Sequence, residues 1–69
     1  MDSREVLARI ADVAEKMLDF TKREQRIAEN FRKSGDQARA EAFNDRAARS
    51  RSTWVELMIL LDDISSLED

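Results

Sequence analysis

Apolar residues recur every three or four positions through most of this chain. In the first half Val6, Ile10, Val13, Met17, Phe20, Ile27 and Phe31 keep an unbroken 4-3-4-3 spacing, with Glu24 as the one charged member of the row. That period belongs to one face of a helix and not to a strand, and it assigns these residues alternately to heptad positions d and a. In the second half Ala40, Phe43, Ala47, Ser50, Trp54, Leu57, Leu61 and Ile64 continue the rhythm, starting at a. Each half therefore predicts one amphipathic helix of about 30 residues, about 45 Å long.

The punctuation agrees. There is no proline and a single glycine, Gly35, in the segment Ser34-Gly35-Asp36. Gly35 suits the left-handed position that ends a helix, Asp36 can cap the helix that follows, and Asp2 or Ser3 can cap the first. The expected architecture is all-α: one helical-hairpin domain over residues 1–69, with helices at about 3–34 and about 36–66. If the chain reverses at Gly35, Phe31 faces Ala40, Phe20 faces Ser50, Met17 lies near Trp54 and Ile10 meets Leu61, so that large faces small. The segment AENFRKSGDQARAEAF resembles tetratricopeptide helix-turn-helix units in outline. Its small and aromatic positions fall at the wrong spacing, however, and one hairpin is too short for a solenoid.

More apolar surface is present than one hairpin seam can hide. Leu7, Ala14, Ala28 and Met58 extend the stripe to e positions, and Leu60 and Leu67 extend it to g. A stripe this wide predicts self-association, two hairpins forming a four-helix bundle, with Leu7, Ala14, Trp54, Met58, Leu60 and Leu61 at the interface. Leu18, Val55 and Ile59 fall outside even that face, with Ala11 and Ala48 nearby; grouped, they either join the interface between copies or form a candidate docking surface for another protein.

Length sharpens the argument for association. A chain of 69 residues, 42% hydrophobic, encloses a core worth only about 3–5 kcal/mol unless something reinforces it. No Cys is present for a disulfide, and no His or Cys for a structural zinc, so oligomerisation is the reinforcement left. The acidic start MDSREVLARIADVAE lacks the basic and apolar regions of a secretory signal, and the longest apolar run, WVELMILL, contains Glu56 and is too short to span a bilayer. A cytoplasmic protein without membrane attachment is expected.

Twelve Lys and Arg stand against fifteen Asp and Glu, a formal net charge of −3, which argues against general nucleic-acid binding. Arg9, Lys16 and Arg23 recur every seven residues, each preceded by four positions by Glu5, Asp12 or Asp19, the orientation that forms solvated ion pairs along a helix. Arg46 and Arg51 have no acidic residue at that spacing. They flank the positions facing Glu24, so Glu24, Arg46 and Arg51 are expected to form a polar core layer that fixes register, with Arg23 beside Arg46 across the hairpin.

The same stretch supports a second reading. Lys22, Arg23, Arg26, Arg46, Arg49 and Arg51 outnumber the neighbouring Glu24, Glu29 and Asp45, and clustered guanidinium groups around a two-fold axis could hold a nucleotide or another phosphate-bearing small molecule. Sequestering proteins that phages use against nucleotide-signalled defence are an example of such a class. Catalysis is poorly served. Without His or Cys no conventional triad or zinc site can form, Ser50 and Ser52 have no evident base, and the paired E-x-x-E and E-x-x-D pattern of the helical nucleotide pyrophosphohydrolases is missing. The sequence thus points to a non-enzymatic regulatory or adaptor protein without cofactor or metal, whose partners are a second copy and another protein. A structural assembly subunit is a further reading.

Overall fold

The computed structural model describes residues 2–68, of which Glu68 is described in its backbone alone. They form two helices, α1 (Ser3–Lys33) and α2 (Gln37–Glu68), packed antiparallel as a hairpin. Asp2 is the N-cap of α1, its Oδ1 accepting from the Arg4 amide at 3.0 Å. At the other end Gly35 takes φ 87°. There the Asp36 amide donates to the Phe31 carbonyl at 2.9 Å and the Gly35 amide to that of Arg32 at 3.1 Å, the paired bonds of a Schellman turn. Asp36 then caps α2 through its Oδ1 and the Arg39 amide, 3.1 Å apart. The turn thus satisfies the end of one helix and the start of the next within three residues.

A Cβ placed on Gly35 would meet nothing within 4 Å, so the cost of a side chain there is purely that of the left-handed backbone, about 1–2 kcal/mol. Gly35→Ala should lower the urea midpoint accordingly and Gly35→Asn by less, since Asn tolerates this region. An unchanged midpoint for the alanine variant would mean that the turn can relax away from positive φ.

Packing departs from the expected seam on one helix only. On α2 the inward residues are those of the a/d pattern: Ala40, Ala47 and Ser50 are buried, and Phe43, Trp54, Leu57, Leu61 and Ile64 are half-buried. On α1 the buried residues are Ala14, Thr21, Glu24 and Ala28, with Ile10, Met17 and Phe31 half-buried between them. This is the a/e row, turned by one position from a/d. Val13 and Phe20, expected in the seam, are 48% and 43% exposed. Thr21, not Phe20, therefore faces Ser50, their hydroxyls 2.6 Å apart. Small residues let two backbones approach and gain dispersion contact along their length, while bulky ones wrap the flanks.

The Thr21–Ser50 pair also reaches the carbonyls of Met17 at 2.8 Å and Ala47 at 3.1 Å. Two hydroxyl protons serve three contacts, so at any moment one hydroxyl donates to the other and that second one donates to its own carbonyl. Toward the turn the expected contrast of large against small gives way to stacked rings, Phe31 on Phe43, with centroids 5.5 Å apart.

The result is a rod 51 × 15 × 13 Å across its principal axes, with a radius of gyration of 15.7 Å, against about 11 Å for a compact domain of this length. Its accessible surface is 5364 Å² for 8.0 kDa, while a typical monomer of that mass exposes about 4,450 Å². No large side chain is fully buried among the described residues. Among them, too, no helix is long and apolar enough to cross a membrane.

Candidate functional site

Turning α1 toward its a/e row leaves two separate flanks, which follow from 100° of rotation per residue. On one side the d column of α1, Val6, Val13, Phe20 and Ile27, lies beside the g column of α2, where Leu60 is 44% and Leu67 85% exposed. On the other side Leu18 from the b column of α1 lies beside Met58 and Val55 of α2, with Ile59 further around. Val55, Met58 and Ile59 are 41%, 42% and 56% exposed.

The second flank has a shape. A groove of about 210 Å³ runs between the helices there, lined by Leu18, Thr21, Lys22, Gln25, Arg51 and Trp54. A broader hollow of about 430 Å³, formed by Ala48, Arg51, Ser52, Val55 and Glu56, adjoins it through Arg51. Leu18 and Val55 thus sit on neighbouring depressions, and Trp54, half-buried in the seam, supplies an aromatic wall. Apolar floor and cationic rim meet within one residue's reach.

Of the residues expected at an interface between copies, Ala14 is closed inside the hairpin at 2% exposure. Leu7, Trp54 and Leu61 are half-buried along the seam. Met58 and Leu60 are exposed, on opposite flanks. Val13 and Phe20, the large exposed residues of α1, were not among the expected interface residues, because the a/d reading placed them inside. The signal lay in the e column, where Ala14, Thr21 and Ala28 are small enough to form a close seam.

The polar layer differs in its partners. Glu24 is buried at 5% exposure, as its place in the row implies, but its Oε2 has no hydrogen-bond partner. Arg46 does not reach it; its guanidinium lies over the Phe43 ring, 4.9 Å from the centroid. Nor does Arg51 pair with it, lining the Trp54 groove instead. The mid-hairpin polar bond is the one between Thr21 and Ser50. A stacked ring competes well for a guanidinium that would otherwise lose its water to reach a buried carboxylate.

The basic residues likewise do not converge on one point. Lys22 and Arg51 face the Trp54 groove, Lys22 and Arg26 border an outer hollow of α1 with Gln25 and Glu29, Arg46 belongs to the opposite flank, and Arg23 and Arg49 are exposed on the outer columns. Of the three expected acid-before-base pairs Asp12–Lys16 closes, at 3.1 Å. Arg39 pairs with Asp36 at 3.5 Å, and Arg32 with Glu29. Among the described residues no three acidic side chains come together as a metal site would require. No family model, curated protein or solved structure matches the chain.

Proposed function

We propose that the chain is a small, non-enzymatic, cytoplasmic regulatory or adaptor protein that pairs with a second copy as a four-helix bundle and binds another protein through the face around Leu18, Val55 and Ile59. The observation that carries this reading is the pair of separate exposed apolar flanks on a hairpin that closes its own interior with Ala, Thr and Ser. One flank suffices to pair two copies. The other is then left for a different partner. Its chemistry suits an apolar side chain seated over Leu18 and Trp54, with a neighbouring carboxylate held by Lys22 or Arg51.

The test uses proteins captured by the chain from its native extract and identified by mass spectrometry. Leu18→Asp and Val55→Asp should each abolish capture, a loss of tenfold or more at about 1.4 kcal/mol per decade, while circular dichroism and scattering mass stay unchanged. Arg46→Ala, on the far flank, should leave capture intact. Capture that survives both aspartate variants would defeat the docking face.

A second reading has one observation of its own: Trp54, Lys22 and Arg51 share a groove, an arrangement that could stack a base and hold its phosphate. A thermal shift specific for nucleotides, lost in Lys22→Ala and Arg51→Ala, would replace the adaptor reading with that of a phosphate-ligand binder. Scattering mass that grows without limit with concentration would point instead to a structural assembly subunit.

A further inference from the structure

The geometry points to a particular pairing of copies: the second hairpin lies on the flank of Val6, Val13, Phe20, Ile27, Leu60 and Leu67, with the two-fold axis parallel to the rod, so that α1 of each copy packs on α2 of the other. The inference rests on the self-association reading and specifies it. The hairpin exposes about 900 Å² more than a compact monomer of its mass, close to the roughly 800 Å² that each partner contributes to a standard interface. On this flank Val6, Val13, Phe20 and Ile27 recur every seven residues, a continuous stripe of about 32 Å. The opposite flank is apolar only near Leu18, Val55 and Met58 and is interrupted by Gln25, Arg32, Asn44 and Arg51. A rod that pairs with a rod needs the long stripe.

Level and charge select the axis. Thr21 and Ser50 are level, so a residue a given number of positions before Thr21 is level with one the same number after Ser50. A two-fold axis along the rod preserves level. It brings Val6 within two residues of the level of Leu67 of the second copy, about 3 Å along the rod, and Val13 and Phe20 equally near the levels of its Leu60 and Thr53. The outer rim of α1 on this flank is the g column, Arg9, Lys16 and Arg23; that of α2 is the c column, Arg49, Glu56 and Asp63, of which Glu56, on the outer face of α2, also borders the hollow beside Val55. The same axis brings Arg9 to Asp63 and Lys16 to Glu56, each occurring twice by symmetry, and opposes Arg23 to Arg49. An axis across the rod would instead lay α1 on α1, with the basic rim against itself.

The native chain has no Cys, so single-cysteine variants report proximity cleanly. Val13→Cys and Leu60→Cys, mixed and oxidised, should yield the crossed disulfide dimer, and neither variant alone should crosslink. A dimer from either variant alone overturns the axis. If scattering shows a dimer but the mixture gives no crossed product, the copy lies on another face, and the inference fails while self-association stands. A monomer at millimolar concentration ends both.

Charge exchange gives an independent readout. Lys16→Glu or Glu56→Lys should each weaken the dimer about two- to thirtyfold, two symmetric pairs being lost, and the double exchange should recover most of that loss. A double variant no tighter than either single one overturns the rim pairing. Because Lys16 also pairs with Asp12, recovery in the double variant, rather than the loss in the single ones, is the informative comparison.

Discussion

Replacing Glu24 with methionine should raise the unfolding temperature by about 10 °C. The residue is only 5% exposed, and its Oε2 finds no donor. A buried acceptor left unsatisfied costs about 1–3 kcal/mol, more if it is charged, and each kcal/mol moves the midpoint of a domain this small by about 4–8 °C. Methionine matches glutamate in length and bends to fill the space between Ala47 and the flanking side chains. Glu15→Met, at an exposed position on the same helix, should change the midpoint little. Melting followed by circular dichroism at matched protein concentrations makes the comparison, since association also contributes to stability. If the Glu24→Met variant melts at or below the parent, Glu24 has a partner that compensates its burial, and the single hairpin is not its complete environment.

Enlarging the alanine seam should have the opposite sign. Ala47 is 3% exposed and level with Glu24, within the row of small residues between the helices. Ala47→Leu adds three carbons where the backbones approach, and overpacking of this kind costs about 1–3 kcal/mol. Against a total of about 3–5 kcal/mol for so small a core, that change should leave much of the chain unfolded at body temperature. Ala48→Leu, one residue on and exposed, is the matched control and should stay within about 0.5 kcal/mol of the parent. Equal behaviour of the two variants in urea titrations would mean that the helices separate freely, and that the small residues of the seam are not what sets their distance.

These two expectations show where the linear pattern was legible and where it was not. The turn could be read residue by residue: Gly35 is the sole position without a Cβ, and Asp36 follows it with an oxygen at the right reach for the Arg39 amide. Local chemistry of that kind needs no knowledge of the rest of the molecule. The inward face of α2 followed the a/d row from Ala40 to Ile64, although apolar residues continue around the helix at Val55, Met58, Ile59 and Leu60. The ion pairs were only partly so. Asp12–Lys16 closes while its two periodic counterparts do not, as expected for exposed pairs worth little more than thermal energy.

The face of α1 was ambiguous in principle. Its d column, Val6, Val13, Phe20 and Ile27, and its e column, Leu7, Ala14, Thr21 and Ala28, both adjoin the a column, and either pair makes an unbroken seven-residue repeat. Hydrophobicity favours the d column. Close packing favours the e column, because two helices with no third layer above them gain most when small side chains let the backbones meet. The candidate surfaces inherit that choice: rotation by one column expelled Val13 and Phe20, enclosed Ala14 and divided the apolar surplus into two flanks.

The sequence by itself determined two long helices, the reversal at Gly35, the cap at Asp36 and a choice of Asp2 or Ser3 for the first cap, since each depends on interactions within a few residues, and the a/d row that α2 turns inward. Only the tertiary structure decided which of two adjacent columns of α1 turns inward, that the buried Oε2 of Glu24 has no hydrogen-bond partner while Arg46 stacks on Phe43, and which apolar residues remain outside. Those outcomes depend on volume and distance between segments far apart in the chain, and a period of hydrophobicity carries neither.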